Sequence, residues 1–364
     1  MDISTNISPI KWNDDNNEIV WLDNSRIPSE EVYNSTKSIE RLITAIKTLE
    51  IRGAPILGEA GAYGTAMIVN NSQNSKEDII KNLSNFGNLL ATARPTAVNL
   101  SWGVAQIKDM VENSLQEGLS PSEVKNLAIT NAKRIQKENI NSTIQIGKHG
   151  KKFIKDGDVL VTVCNAGTLA CDGIGTATAP MRTAFAEGIN FEVLVTYTAP
   201  LYQGARLTAW ELHKDGIPIH VITDNMAGHL MREKKATSIF AGADRILCNT
   251  TNPDEVGTVY NKIGTFNLAL IAKQLSTNSN EVKLHVAAPI STIDKVSKVS
   301  DVKIEERNPK EVEYLFNGTK ITPDGVSVFN PAFDRTPPEL VSSIITEKGV
   351  AEFPYTNSLT KLLD

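Results

Sequence analysis

The sequence predicts an α/β protein: a Rossmann-like parallel sheet domain preceded by a smaller, mainly helical N-terminal domain with a small sheet. Three observations lead there. From about residue 155, short runs rich in Val and Ile alternate with helical segments, the pattern of strands buried on both faces of a parallel sheet. Before that point, apolar residues recur mostly at helical spacing. The chain has 364 residues, too long for one ordinary core and suited to two domains, placed here at 1–150 and 151–364.

Taken in order, an apolar segment at 19–22 reads as a strand of the small sheet. Ile39, Leu42, Ile43, Ile46 and Leu49 then fall at helical spacing behind Ser38, a good N-cap. That helix stops near Arg52-Gly53-Ala54-Pro55, because proline disfavours helix at the residue before it. A helix of small residues follows over 56–69, with further helices near 77–93, 97–117 and 121–148. In the second half, strands are expected at 159–163, 191–197, 218–223, 238–243 and 283–288. Helices at 176–187, 204–214, 225–234 and 264–276 lie between and after them.

Composition narrows the function classes. With 41% hydrophobic and 22% charged residues the chain is globular. A net charge of −5 and a pI near 5.7 argue against a nucleic-acid or anionic-membrane partner, since either needs a basic patch. No apolar run reaches the roughly 18 residues of a membrane span. The start, Met1-Asp2-Ile3-Ser4-Thr5-Asn6, lacks the basic segment and apolar core of a signal peptide, so a cytoplasmic protein is expected. Cys164, Cys171 and Cys248 are odd in number and have no metal-site spacing, which suits a reducing compartment. His149, His213, His220, His229 and His285 are scattered without an HExxH or an i,i+4 pair, so no metal site is expected.

Ligands of a doubly wound sheet bind beyond the carboxyl ends of its strands, where the strand order reverses. The strand ends here carry Val163-Cys164-Asn165-Ala166-Gly167, Thr223-Asp224-Asn225 and Gly242-Ala243-Asp244-Arg245. Cys164 has two readings: a core cysteine, or a thiol near helix N-termini whose lowered pKa suits a base or nucleophile. Asp244 either caps a helix or pairs with Arg245, or it serves as a general acid in a partly dry cleft. Asp224 has the same readings, with capping favoured; Cys171 and Cys248 read as packing residues. The glycine-rich stretch 167–176 misses the GxGxxG spacing, and no acidic residue ends the next strand, so a nicotinamide cofactor is not expected. Its glycines read instead as letting backbone N–H groups approach an anion at a helix start. Arg52, Arg94 and Lys262 are the candidate phosphate cations, the first two beside proline-bearing turns that can hold a guanidinium in place.

An ordered set of motifs carries a family resemblance over nearly the whole chain. They are Arg52-Gly53-Ala54-Pro55, Arg94-Pro95-Thr96-Ala97-Val98-Asn99-Leu100-Ser101-Trp102, Cys164-Asn165-Ala166-Gly167 and Gln203-Gly204-Ala205-Arg206-Leu207-Thr208-Ala209-Trp210-Glu211-Leu212. Ile222-Thr223-Asp224-Asn225-Met226-Ala227, Gly242-Ala243-Asp244-Arg245-Ile246, Asn261-Lys262-Ile263-Gly264-Thr265 and Asn330-Pro331-Ala332-Phe333-Asp334 complete it. The sequence resembles the methylthioribose-1-phosphate isomerases. The resemblance implies an aldose–ketose isomerisation of a pentose 1-phosphate in methionine salvage, with no metal and no organic cofactor. It implies substrate contacts from Arg52, Gly53, Ala54, Arg94, Gln203, Asn261 and Lys262, with Asp244 as proton donor and Cys164 as the second catalytic residue. It also implies a cytoplasmic homodimer whose partner is a small sugar phosphate.

Two departures bear on the substrate. Tyr197-Thr198-Ala199-Pro200 stands where many relatives carry Glu-Thr-Arg-Pro, and the turn-rich stretch from Leu247 to Tyr260 is longer than usual. Both bear on the pocket around the sugar's 5-position, leaving 5-methylthioribose 1-phosphate and 5-deoxyribose 1-phosphate open. A hydrophobic pocket separates these two by only a few kcal/mol. Ribose 1,5-bisphosphate would need extra cations for its second phosphate. A non-catalytic regulatory subunit of the exchange factor for eukaryotic translation initiation factor two, a distant resemblance, would not need thiol, acid and phosphate cations together.

Overall fold

A computed structural model describes residues 5–94, 98–276 and 281–363. Met1–Ser4 of the sequence start, and Pro95, Thr96 and Ala97 of the Arg94–Trp102 motif, lie outside the described residues. The chain forms two compact units. One comprises Ser4–Asn141 with Thr168–Gly175, the other Ser142–Gly167 with Thr176–Asp364.

The first unit opens with an antiparallel sheet of β1 (Ile10–Asn13), β2 (Glu18–Leu22) and β3 (Tyr33–Thr36). Ile10, Trp12, Ile19 and Trp21 alternate with more exposed residues and pair across β1 and β2, so one face is buried. In α1 (Ile39–Lys47) the Ser38 hydroxyl accepts the Arg41 N–H at 3.2 Å, the expected N-cap. Helix α2 (Ala54–Asn71) is buried on nearly every side, which explains its small residues. A Cβ on Gly61 would lie 2.5 Å from the Leu100 carbonyl oxygen, and one on Gly103 would lie 2.0 Å from that of Gly58. Backbone therefore meets backbone where α2 crosses α5 (Val98–Gln116). The expected helix at 77–93 is α3 (Lys76–Asn82) and α4 (Asn88–Ala91), joined by a wide π turn at Leu83–Gly87. Helix α6 (Pro121–Gly150) contributes its residues up to Asn141, and α7 (Thr168–Cys171) belongs to the stretch that returns to this unit.

The second unit is built on a seven-stranded sheet. Its strands are β4 (Asp158–Thr162), β5 (Phe191–Thr196), β6 (Ile219–Ile222), β7 (Ser238–Ala241), β10 (Lys283–Ala287), β13 (Ser343–Thr346) and β14 (Gly349–Glu352). The order is β14-β13-β10-β7-β4-β5-β6, parallel throughout except for the β13–β14 hairpin. All five strands expected from the sequence are here. Helices α8 (Ala179–Ala186), α9 (Ala209–Lys214), α10 (Met226–Arg232) and α11 (Thr265–Leu275) occupy the expected intervals. A four-stranded sheet, β11-β8-β9-β12, was not legible in the sequence. Its members β8 (Arg245–Leu247), β9 (Val259–Lys262), β11 (Ile293–Asp294) and β12 (Phe333–Thr336) are too short to show a period.

One topological fact positions the chemistry. From β4 the chain lays down β5 and β6 on one flank, then crosses to β7 on the other. The order thus reverses between β4 and β7, which pair in parallel with Leu160 opposite Ser238 and Thr162 opposite Phe240. A ligand crevice opens beyond the carboxyl ends at such a point.

Candidate active site

Cys164 leaves the carboxyl end of β4 and Asp244 leaves that of β7, so the two flank the switch point. The loops behind them touch. A Cβ on Gly242 would lie 2.7 Å from the Ala166 methyl, so only glycine lets the β7 exit pass the Cys164 loop. The third contributor is β9, which ends in Asn261 and Lys262, both buried. Burial lowers the Lys262 pKa, and the titratable groups close enough to act on its ammonium are Cys164, Arg307, Glu311 and Asp244. Thiol, acid and lysine thus share one electrostatic environment within this unit.

The backbone at Cys164 is left-handed, with φ +64°. A non-glycine residue holds that conformation only where its surroundings over-determine it. They do so here. The Cys164 N–H donates to Thr198 Oγ1 at 2.8 Å, and its carbonyl accepts the Thr208 hydroxyl at 2.6 Å. Thr198, itself at φ +60°, is fixed by Asp224, whose two oxygens accept the N–H groups of Thr198 (2.7 Å) and Ala199 (2.9 Å). Asp224 therefore holds a turn rather than capping α10, the role favoured from sequence.

Beneath the loop, Asn165 Nδ2 donates to Glu211 Oε1 and, at 3.2 Å, to Thr208 Oγ1. Glu211 is fully buried and meets Arg182 Nη2 at 2.9 Å, and Arg182 also reaches Asp215 at 2.6 Å. A Cβ on Gly167 would collide with the Glu211 carboxylate at 2.2 Å. The loop is thereby pressed onto a buried ion pair. Gln203 is buried too, and its Oε1 has no hydrogen-bond partner among the described residues, an acceptor suited to a sugar hydroxyl.

Asp334 stands opposite Asn261 across β12 and β9. Its carboxylate accepts the N–H groups of Gly264 (2.6 Å) and Phe266 (3.1 Å), which open α11 directly after Lys262. Burial pushes its pKa up to about 6 against those same N–H groups. Arg307 near Lys262 is engaged by Glu311 at 2.6 and 2.9 Å and by Glu305 at 3.4 Å.

Three sequence expectations are corrected. Asp244 is exposed, so no dry cleft surrounds it. Asp224 has the turn-holding role given above. The glycine-rich stretch offers little to an anion: the Gly173 N–H donates to Asp172 Oδ1 at 2.7 Å and the Gly175 N–H to the Asp172 carbonyl at 2.9 Å. Cys171 and Cys248 are buried and unpaired by disulfide, as packing residues should be.

In the other unit, Arg52 is half-buried and precedes Gly53, which opens α2 at φ +107° with no side-chain cap and Pro55 in the first turn. A Cβ on Gly53 would lie 2.3 Å from the Ala170 carbonyl oxygen, so glycine is required both for its φ and for space. The N–H groups at the start of an 18-residue helix, beside an arginine, have the polarity that favours an anion. Arg94 is half-buried. Arg52, Gly53, Ala54 and Arg94 thus belong to one unit, and Cys164, Gln203, Asp244, Asn261 and Lys262 to the other. Sequence reading missed Thr198, Thr208, Glu211 and Asp334 as site-building residues. All but Thr198 stand inside the quoted motifs, and only their contacts reveal what they do.

Comparison with known proteins agrees with this architecture. The chain is 42% identical over 360 residues to the putative methylthioribose-1-phosphate isomerase of Methanocaldococcus jannaschii, covering 99% of each chain. The solved structure of 5-methylthioribose 1-phosphate isomerase from Pyrococcus horikoshii OT3 superposes with a TM-score of 0.89 at 32% identity, over 99% of this chain and 97% of that one. The translation initiation factor eIF-2B, subunit delta, from A. fulgidus gives a TM-score of 0.85 at 36% identity, over 98% and 99%. The profile of the Initiation factor 2 subunit family matches residues 50–353, and with these relatives it shows that the chain belongs to that family.

Proposed function

We propose that this chain is an aldose–ketose isomerase that converts 5-methylthioribose 1-phosphate to the corresponding ribulose 1-phosphate. The observation that carries the reading is the convergence of Cys164, Asp244 and Lys262 at the switch point of the parallel sheet. The names of the relatives support it.

The substrate's phosphate blocks free exchange between ring and aldehyde, so the ring must be opened by acid. Asp244, protonated once the bound sugar covers it, donates to the ring oxygen as the C1–O bond breaks. The hydrogen on C2 then moves to C1 while the C2 hydroxyl proton leaves, giving the ketone and restoring the acid. Cys164 serves this step at C2, either as the base that takes and returns the proton or as the wall along which hydrogen passes. Arg52, Gly53, Ala54, Arg94 and Lys262 hold the phosphate, and Gln203 and Asn261 hold sugar hydroxyls, roles carried over from the family resemblance. Positioning of this kind keeps C1 and C2 in register with the thiol. The protein works in the cytoplasm as a homodimer and takes part in methionine salvage.

Arg307 is the further cation near Lys262, and its engagement by Glu305 and Glu311 leaves it poorly suited to a second phosphate. That disfavours ribose 1,5-bisphosphate. The pair Tyr197 and Ala199, in place of a charged pair, favours 5-deoxyribose 1-phosphate as a second substrate. Measured kcat/KM values for 5-methylthioribose, 5-deoxyribose and ribose 1-phosphates test the assignment. Asp244→Asn and Cys164→Ser should each lower kcat by about 10²-fold or more, a usual size for acid–base loss. Near-normal turnover in either variant, or no turnover of any of the three sugars, refutes the proposal.

A further inference from the structure

The mechanism leaves two buried acids unused, Glu59 on the second turn of α2 and Asp172 in the returning stretch after α7, exposed by only 1% and 5%. Both belong to the first unit. Their hydrogen-bond donors can be counted. Gln136 Nε2 gives one hydrogen to the Ile10 carbonyl and the other to Asp172 Oδ2, both at 2.7 Å. Its orientation is fixed, because Gln136 Oε1 accepts the Tyr63 hydroxyl at 2.5 Å. Asn139 Nδ2 gives one hydrogen to Glu59 Oε1 at 2.6 Å and the other to the Cys171 carbonyl at 2.7 Å. Asp172 Oδ1 takes the Gly173 N–H at 2.7 Å. Each carboxamide has then used both of its hydrogens.

Glu59 Oε2 remains, buried and with no hydrogen-bond partner among the described residues, although the Gln136 amide is close enough to favour its charged form. What faces it is the carboxyl group of Asp172. Two carboxylates in contact in a dry interior repel and lose their hydration, whereas one proton between them makes a hydrogen bond. The charged and titratable groups around the pair do not relieve it. Tyr63 from α2 carries no positive charge, α6 gives the pair the neutral amides of Gln136 and Asn139, and its Lys133 is engaged by Asp14 from the turn after β1, 2.5 Å away. Burial, and then the neighbouring acid, push Glu59 well above the ordinary carboxylate range, and burial raises Asp172 as well.

A second observation says what the pair holds. A Cβ on Gly53 would lie 2.3 Å from the Ala170 oxygen and 2.5 Å from the Ala170 Cα, so α7 is seated directly on the first turn of α2. Any outward shift of the stretch Thr168–Gly175 removes the wall against which Gly53 and Ala54 are packed. We infer that Glu59 and Asp172 share one proton and act as positioning residues, clamping the returning stretch onto the α2 N-terminus. This rests on the function proposed above, in which that N-terminus receives the substrate phosphate. At alkaline pH the proton is lost, two negative charges face each other, and the cradle loosens.

The test compares wild type, Glu59→Gln and Glu59→Ala by pH profile and by infrared spectroscopy. Glu59→Gln supplies an N–H where the shared proton lay. It should keep near-normal kcat/KM at neutral pH, and its alkaline fall, then set by Lys262 without the acid pair, should begin at higher pH than in wild type. Glu59→Ala should raise KM about tenfold with kcat little changed, the size expected if the cradle is formed in about one molecule in ten. The infrared spectrum of substrate-free wild type should show a protonated buried carboxyl at neutral pH that Glu59→Gln lacks. An alkaline fall that begins at the same pH in Glu59→Gln as in wild type, or the absence of that infrared band from wild type, overturns the inference. If Glu59→Ala does not fold, the Glu59→Gln profile decides. If wild type turns over none of the sugars, the functional reading has failed, and the infrared band alone still decides the shared proton.

Discussion

The ion pair beneath the Cys164 loop gives a graded stability prediction. Arg182 Nη2 lies 2.9 Å from Glu211 and 2.6 Å from Asp215, and the three side chains are 3%, 0% and 17% exposed. Replacing Arg182 by Met takes away the cation 2.9 Å from the fully buried Glu211 carboxylate. Breaking a buried pair in this way costs about 3–5 kcal/mol. Asp215 adds little, since water reaches it. Glu211→Gln does the opposite: Arg182 keeps Asp215 and Thr178, and the new amide oxygen still accepts from Asn165. The loss is then one charge-assisted hydrogen bond, about 1.5–3 kcal/mol. Urea unfolding followed by far-ultraviolet circular dichroism should rank Arg182→Met as clearly the more damaging. Equal costs, or the reverse order, would mean that the buried Glu211 carboxylate does not depend on Arg182.

Three further outcomes are expected. Thr198→Val removes the acceptor of the Cys164 N–H, and an unsatisfied donor costing about 1–3 kcal/mol should lower kcat about tenfold or more, with KM little changed in steady-state kinetics. Gly53→Ala adds a methyl 2.3 Å from the Ala170 oxygen at a residue with φ +107°, and strain with overpacking should cost about 2–5 kcal/mol in denaturant titration. His285, stacked 4.3 Å from Phe153 and with the tilted ring of Phe240 5.1 Å away, is held neutral by burial, with its pKa lowered to about 3. The unfolded chain takes up that proton first, so stability should fall as pH drops from about 6.5 toward 3, and His285→Phe should flatten that acid limb in pH-dependent unfolding.

Much of this protein was legible because it is local. Alternating Val/Ile runs and helical segments gave five of the six parallel strands, missing β13, and the rule that ligands lie beyond strand ends singled out Cys164, Asp224 and Asp244. Ser38 was readable as a cap because a cap acts three residues ahead. The small residues of α2 marked a buried helix, although nothing local says that Gly58 and Gly103 meet.

The tertiary structure decided what depends on distant pairings. Strand order alone makes β4 and β7 neighbours, and so brings a thiol and an acid some eighty positions apart to the same end of the sheet. Strands such as Arg245–Leu247 and Ile293–Asp294 are too short to carry a period, and only their partners make them strands. The return of Thr168–Gly175 to the first unit turned a presumed anion loop into an anchored segment, because Asp172 satisfies its glycine N–H groups. Whether an acid is exposed, as Asp244 is, or buried beside another acid, as Glu59 is, depends on what packs around it, and a residue's letter carries none of that.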